Sequence, residues 1–153
     1  GLGHLAAVGL VLITLVAVNR ELRGRGFWTA ERPEPDLLGM LHHVALGTVA
    51  DLVPLDANNR VLVSQGLQRI RAGRCVPGIT ALLEFAKRSR LSITAADLGF
   101  AVGPRLNAAG RLDDMTIGIR CLLADSLADA TGLAARWPWP TPTSAAPARL
   151  PSV

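Results

Sequence analysis

One carboxylate, Asp51, stands where a divalent cation could be bound if the residues before it form a strand. It follows an uncharged apolar run, residues 44–50, which has strand length and contains two valines and Thr48. This composition predicts a parallel strand that is covered on both faces. Ligands of α/β proteins bind at the carboxyl ends of such strands, and carboxylate oxygens suit hard cations. The alternative is that Asp51 only caps the turn that follows.

A second segment that could do chemistry is the loop at residues 103–111, which contains two glycines and a proline. Glycines allow the backbone to approach a ligand closely, and Arg105, Asn107 and Arg111 offer donors that suit phosphate oxygens. The loop lacks the GxxxxGK[ST] pattern of a P-loop. From these residues alone, a turn between helices with its arginines in solvent fits as well as a phosphate site does.

The remaining ionisable and thiol groups favour structural roles. Asp113 and Asp114 are adjacent and point in different directions on any regular element, which favours charge at a helix N-terminus over a metal pair. Cys75 and Cys121 are far apart and have no ligand-spaced partners. They therefore indicate reduced structural thiols rather than zinc or a disulfide framework.

The elements that must position these residues are predicted from caps and breakers. They are helices over residues 4–23, 36–42, 60–72 and 78–87, a surface loop over 27–35 and the strand over 44–50. The first helix is apolar nearly all round, which predicts that it is buried.

The helix ends carry their own signals. Gly24 or Gly26 is expected to close the first helix and Gly73 the third. Asn58 or Asn59 is expected to cap the third helix, and Pro77 to stand in the first turn of the fourth. Thr94 and Asp97 have the spacing of a capping box.

Composition limits the classes of protein that need consideration. The 153 residues are 50% hydrophobic and only 4% aromatic, so a core must be built from aliphatic side chains, which suits helices packed on a sheet. The net charge of +4 comes almost entirely from arginine, since Lys87 is the only lysine. Arginine binds phosphates in a bidentate manner, so nucleic acid is a candidate partner. Genomic base content explains the same excess equally well.

The two ends of the chain predict a fragment of a longer protein. The first residue is glycine, and the sequence after about residue 135 becomes rich in tryptophan and proline, which predicts an extended, mobile tail. The uncharged stretch at residues 5–18 falls short of the ~20 residues that span a bilayer. It also lacks a charged leader and a cleavage site, so it is interpreted as a core helix and no membrane partner is expected.

Two long motifs and their spacing resemble the RecJ family of single-strand-specific DNA exonucleases. The first is HVALGTVADLVPLDANNR at residues 43–60, and the second is DLGFAVGPRLNAAGRLDD at residues 97–114. The likeness extends from about residue 5 to about residue 129 and includes GLQRIRAG at residues 66–73. Because both motifs and the distance between them match, the resemblance is far more specific than a single short pattern.

The resemblance implies a DHH phosphoesterase, a class whose α/β domain holds two Mn²⁺ or Mg²⁺ ions. By that resemblance Asp51 is the last metal-ligating aspartate of the family. Arg105, Asn107 and Arg111 would line the DNA path near the scissile phosphate. Arg60 is a weaker candidate for nucleic-acid binding, since it would also serve to connect the following helices to the domain.

The implied fold class is α/β: the C-terminal part of a DHH-type parallel-sheet domain over residues 1–55, followed by a mostly helical connector over 56–130. The connector would lead toward a DHHA1 domain that is absent. Residues 131–153 are expected to form a Pro-rich disordered tail, interpreted as a reading-frame change or an assembly artefact. His42 and His43 follow leucine instead of aspartate, so they do not form the Asp-His-His motif and are assigned no catalytic role.

The function implied is that of a fragment of a metal-dependent 5′-to-3′ single-stranded DNA exonuclease. Such an enzyme hydrolyses phosphodiester bonds in DNA repair and recombination, and it is expected in the cytoplasm with single-stranded DNA as its partner. The fragment is expected to be inactive alone because most metal ligands are missing. Two alternatives remain: a DHH phosphodiesterase acting on small (oligo)nucleotides, and a non-catalytic helical module that binds nucleic acid.

Overall fold

The computed structural model describes residues 3–104, 106 and 115–136, and within these ranges every regular element is helical. In chain order the helices are α1 (Ala7–Gly24), α2 (Leu41–Ala50), α3 (Ala57–Arg71), α4 (Pro77–Phe85), α5 (Ala95–Asp97), α6 (Thr116–Leu122) and α7 (Leu127–Arg136). Two 3-10 turns, Leu37–Met40 and Arg90–Ser92, and a π-helical turn, Leu98–Val102, accompany them. The described residues therefore contain the helical part of the expected fold and no strand of a parallel sheet.

The strand predicted at residues 44–50 is wrong, because these residues form most of α2. A short apolar run fits a buried helix as well as a buried strand, and β-branched residues do not decide between them. The helical signal is present in the spacing of Leu41, Val44, Ala45 and Thr48, which are all buried. Their spacing of three and four residues places them on one face of a helix.

Two helices approach each other closely where α2 crosses α3. A Cβ atom on Gly66 of α3 would overlap both the carbonyl oxygen of Leu41 and the Cβ of Ala45, so only glycine fits there. This contact opens onto the main core, whose largest buried members come from α2, α3, α4, α6 and the segments on either side of α5: Leu46, Val63, Leu67, Ile70, Ile79, Leu82, Leu83, Ile93, Leu98 and Cys121. The core is thus formed between helices and has no sheet beneath it in the described ranges.

Helix α1 is apolar but largely exposed, so the prediction that it is buried is wrong for this structure. Gly9, Leu12 and Asn19 are its only buried residues. Leu12 packs with Leu41 and Val44 of α2 in a small second cluster. The outward face exposes six large aliphatic side chains: Leu10, Val11, Ile13, Leu15, Val16 and Val18. Even so, none of the helices in the described ranges combines the length and the apolar character that crossing a bilayer requires.

The predicted cap of α3 is also wrong, since the helix begins three residues earlier than expected. Asp56 is the N-cap, and its carboxylate accepts a hydrogen bond from the backbone N–H of Asn59 at 2.9 Å. Aspartate and asparagine are equally good caps, so a run of such residues does not identify which one serves. Asn58 and Asn59 instead lie in the first turn of the helix.

Other helix-end signals are confirmed. Gly26 and Gly73 take the left-handed conformation after α1 and α3, with φ of 65° and 74°. Pro77 is in the first turn of α4, and Thr94 and Asp97 form the reciprocal capping box at α5. At the other end, α7 continues to Arg136, so residues 131–136 are helical and do not belong to a disordered tail. Residues 137–153 lie outside the described part of the chain.

Candidate metal and nucleic-acid site

Asp51 is the C-terminal cap of α2. Its backbone N–H donates to the carbonyl of Gly47 at 3.0 Å, which closes the last turn of the helix. The side chain is exposed, and within the described residues it has no ion-pair or hydrogen-bond partner. The C-terminus of a helix carries partial negative charge, so the helix end and the carboxylate attract a cation together. A helix end thus replaces the predicted strand end without removing the reason to expect a cation.

The residue after Asp51 holds the chain in a sharp turn. Leu52 has φ of 55°, in the left-handed region that costs a residue other than glycine about 1–2 kcal/mol, and its side chain is 76% exposed. Backbone strain of this kind concentrates at functional sites, where the surrounding structure maintains it. The turn directs the carboxylate away from the core while the chain continues into α3.

The two sequence motifs meet at this end of α2. Gly99 lies on Val49, such that a Cβ on Gly99 would be 2.8 Å from Cγ1 of Val49. Gly103, the first residue of the predicted phosphate loop, lies on Ala50, where a Cβ would be 3.2 Å from the Cα of Ala50. The start of the second motif therefore touches the residue immediately before Asp51.

Of the four residues predicted to bind nucleic acid, only Arg60 lies in the described part of the chain. Arg105, Asn107 and Arg111 lie outside the described residues, so their positions remain predictions. Arg60 is in the first turn of α3, where its backbone N–H donates to the carbonyl of Asp56 at 2.9 Å. Its side chain is exposed and has no partner in the described part of the chain. A guanidinium in this state is available to a phosphate.

One functional position, Asn59, was not recognised from the sequence. It is completely buried, and its Nδ2 donates to the carbonyls of His4 and Pro54, both at 2.8 Å. These bonds connect the beginning of the chain to the turn between Asp51 and α3. The signal is a fully buried asparagine in the first turn of a helix, and its burial cannot be inferred from the neighbouring sequence.

His42 and His43 lie in the first turn of α2 and do not share a site with Asp51. His43 and His42 precede Asp51 by eight and nine residues, respectively, which corresponds to at least about 12 Å along the helix axis. Burial, reinforced by the neighbouring His43, lowers the pKa of His42 to about 4, and burial also lowers the pKa of His43. Both ring nitrogens of His42 lack a hydrogen-bond partner in the described structure. Neutral, buried rings agree with the structural role assigned to them.

A surface cleft in the described part of the chain lies away from Asp51. Its volume is about 400 Å³, and it lies between the second half of α1 and the segment that precedes α2. The ion pair between Arg23 and Glu34 forms one wall, and Asn19 donates to Glu34 at 2.7 Å. Glu34 and Asp36 also line this cleft, so it carries acidic as well as basic side chains.

The described residues fit one ligand of a metal site and not a complete site. Carboxylate oxygens are the ligands that Mg²⁺ and Mn²⁺ prefer. Within the described ranges, however, no three histidine, cysteine, aspartate or glutamate side chains lie close enough to hold an ion together. Asp51 is therefore suited to complete a centre whose other ligands come from elsewhere, and by itself it provides neither a nucleophile nor a bound ion.

Comparison with known proteins gives relatives of one kind. The chain is 58% identical over 132 residues to the single-stranded-DNA-specific exonuclease RecJ of Dickeya dadantii and 56% identical over 132 residues to that of Escherichia coli. Each alignment covers 85% of this chain and 23% of the relative, so the chain spans less than a quarter of the curated relatives' length. No protein-family profile matches the sequence.

Solved structures agree with these relatives. A crystal structure of exonuclease RecJ bound to manganese superposes with a TM-score of 0.58 at 37% identity, over 67% of this chain and 25% of that one. A crystal structure of RecJ from Thermus thermophilus in complex with Mg²⁺ gives the same TM-score and identity and is covered to 16% of its length. The arrangement of helices described above is thus one that also occurs in these proteins.

Proposed function

Because the chain belongs to the RecJ family, we propose that it forms one part of a metal-dependent exonuclease that acts on single-stranded DNA. The observation that carries this proposal is the contact between the two motifs, in which Gly103 lies against Ala50 beside Asp51. A phosphate-binding loop next to a metal-binding carboxylate is the juxtaposition that phosphodiester hydrolysis requires. The proposal extends to the 5′-to-3′ direction, a role in DNA repair and recombination, and a cytoplasmic location.

In this proposal Asp51 is a metal ligand, and the metal is Mn²⁺ or Mg²⁺, the ions bound in the solved relatives. A pair of such ions activates water and stabilises the leaving oxygen in phosphodiester hydrolysis. The exposed carboxylate at the C-terminal end of α2 would hold one side of an ion, and the strained turn at Leu52 keeps it directed outward. Arg105, Asn107 and Arg111 would bind the strand near the scissile phosphate, and Arg60 would contact it farther along.

The domain boundaries follow the same proposal. Residues 1–55 would belong to the DHH domain and residues 56–130 to the connector toward a DHHA1 domain. The close packing of α2 on α3 at Gly66 makes this boundary rigid, because α3 continues directly from the turn that carries Asp51. We further propose that the chain alone does not hydrolyse DNA, since one carboxylate does not hold the required ions.

The test is a chimera in which the matched 132 residues of this chain replace their counterpart in the Dickeya dadantii relative. With Mn²⁺ and a 5′-phosphorylated single strand, the chimera should release nucleotides. Asp51→Asn should reduce the rate by at least about 100-fold, because it removes a charged metal ligand. Asp125→Asn, which removes a carboxylate without a partner among the described residues, is the matched control and should leave the rate unchanged. Equal rates for Asp51→Asn and the parent chimera would overturn the assignment.

A further inference from the structure

A second concave surface runs along α3, and each polar side chain that lines it can donate hydrogen bonds. This surface, the α3 groove, has a volume of about 360 Å³ and is lined by Leu55, Arg60, Ser64, Leu67, Arg71 and Ala95, with Val63 at its floor. Two guanidinium groups and a hydroxyl face it, and no carboxylate lines it. Guanidinium and hydroxyl donors are the groups that proteins use to bind phosphate oxygens.

Arg71 is held in place at the far end of the α3 groove. Its Nε and Nη2 donate to the carbonyl of Ile93 at 3.0 and 2.6 Å. One side of the guanidinium is thus fixed by backbone that packs beside α3, and Nη1 remains for a ligand. A guanidinium that is already oriented loses less conformational entropy when it binds a phosphate.

Two carboxylates on the neighbouring elements, Asp56 and Asp97, are engaged in other interactions and form no ion pair with Arg60 or Arg71 in the described structure. Asp56, at the head of α3, accepts a hydrogen bond from the Asn59 N–H. Asp97 accepts from Thr94 and forms an ion pair with Arg88 at 3.3 Å. The positive charge of Arg60 and Arg71 is therefore available to an anion from solution.

The α3 groove begins next to the candidate metal ligand. Leu55, at its near end, lies in the turn that starts at Asp51, and Arg60, Ser64 and Arg71 follow along one side of the helix. Arg60 and Arg71 are separated by about 16.5 Å along the axis. An extended anion with several charges, such as a nucleic acid strand, is suited to contact both arginines at once.

We propose that the α3 groove binds the phosphate backbone of single-stranded nucleic acid, with Arg60 and Arg71 at its ends and Ser64 between them. The inference rests on the proposed function only for the identity of the polymer. It adds Ser64 and Arg71 as contacts and defines the direction in which the strand leaves the neighbourhood of Asp51. The apolar groove wall formed by Leu55, Leu67 and Ala95 lies beside the backbone contacts and favours no base.

The experiment measures the affinity of the 153-residue chain for fluorescent (dT)20 by anisotropy at several salt concentrations. Ser64→Glu places a negative charge at the middle of the groove on an exposed helical position. We expect it to weaken binding about tenfold, the effect of removing one charge-assisted hydrogen bond to phosphate. The slope of log affinity against log salt should fall by about 0.7 for each phosphate that is no longer neutralised.

Gln65→Glu is the matched control, because it adds the same charge to the same helix one residue along, outside the groove lining. Arg60→Ala should also weaken binding about tenfold, whereas Arg120→Ala, an exposed arginine on α6, should have little effect. Circular dichroism establishes that each variant is folded. Arg71 is left unchanged in these tests because its bonds to Ile93 also support the structure.

Three results would overturn the inference: no binding by the unmodified chain, no loss with Ser64→Glu, or an equal loss with Gln65→Glu. The last would indicate attraction by overall charge rather than a groove. None of them bears on hydrolysis by the chimera, which depends on Asp51 and metal. Conversely, a chimera that binds but does not hydrolyse DNA would defeat the proposed function and leave the groove standing.

Discussion

Helix α1 and the α2–α3 pair are built from similar residues and are covered very differently. Between residues 5 and 18, α1 and its approach contain no charged side chain, yet most of its aliphatic residues are exposed. In α2, Ala45 and Leu46 are buried in the main core, and Leu41 and Val44 are buried in the second cluster. An apolar helix is therefore expected to pack against another element, but its hydrophobicity does not determine which element of this chain covers it.

The packing of α2 on α3 shows what a specific partner requires. Gly66 allows backbone contact, and Asp56 and Asn59 fix the start of α3 relative to the preceding turn. Helix α1 contributes Leu12 to one small cluster and bonds Glu34 through Asn19 and Arg23, while most of its aliphatic side chains are exposed. We therefore expect stability to depend strongly on α2–α3 and weakly on the outer face of α1.

The largest expected difference is between two leucine truncations. Leu46→Ala removes a side chain that is 3% exposed in α2 and should reduce the free energy of unfolding by about 3 kcal/mol, through lost burial and a cavity. Leu10→Ala, at a position 49% exposed in α1, should cost less than about 1 kcal/mol. Urea unfolding followed by circular dichroism measures both. Equal losses of stability in the two variants would contradict the difference expected between α2 and α1.

A glycine pair tests the close approach directly. Gly66→Ala should destabilise the chain by about 2 kcal/mol, because the added methyl group overlaps the α2 backbone at Leu41 and forces the helices apart. Gly132→Ala in α7, where nothing lies within 4 Å of the added atom, should stabilise it by about 0.5–1 kcal/mol. Thermal unfolding of the two variants should shift the midpoint in opposite directions.

Acid should destabilise the folded chain through His42 of α2. The pKa of His42 is about 4 in the folded chain and 6.5 in its ordinary state, because burial disfavours the charged ring. The unfolded chain thus binds the proton more readily, so this contribution to stability is complete above pH 6.5 and is lost as pH falls toward 4. By pH 4 the loss should reach about 3 kcal/mol.

The measurement is urea unfolding at intervals between about pH 7 and pH 4, repeated with His42→Gln. The variant should lose much of the pH dependence in this window, because its side chain does not titrate there. His4→Gln, at an exposed position ahead of α1, serves as the control and should retain the dependence. An unchanged profile in His42→Gln would assign the acid sensitivity to another group.

The smallest effect concerns the outer face of α1. Val11→Gln should change the free energy of unfolding by no more than about 0.5 kcal/mol, since the side chain is already more than half exposed. It should nevertheless reduce self-association, because exposed aliphatic patches promote it. Sedimentation velocity at increasing concentration measures that change. A large loss of stability would show that this face is covered in solution.

Much of the helical part was predictable because its ends carry local signals. Gly26, Gly73, Pro77 and the Thr94–Asp97 box act through the conformation of a few neighbouring residues, and each follows from them. Asp51 was selected as a candidate ligand because a strand was expected before it, and the structure places it at the end of a helix instead. Features that depend on a few neighbouring residues can therefore be predicted from the sequence.

The features that were missed depend on residues far apart. The run at 44–50 fits two conformations, and packing against α3 selects the helix. Asn59 was interpreted as a possible cap, because nothing in the neighbouring sequence indicates that its side chain binds the distant carbonyl of His4. The exposure of α1 was not predicted for the same reason, because an apolar pattern favours burial but does not identify the element that would bury the helix.

Asn59 has a mechanical consequence for the candidate site. Its side chain donates to the carbonyl of His4, 55 positions away, and to that of Pro54, so it connects the turn after Asp51 to the segment leading into α1. Metal coordination tolerates displacements of only a few tenths of an ångström. In the proposed site, a displacement at the base of α1 would therefore reach the Asp51 carboxylate through a single amide.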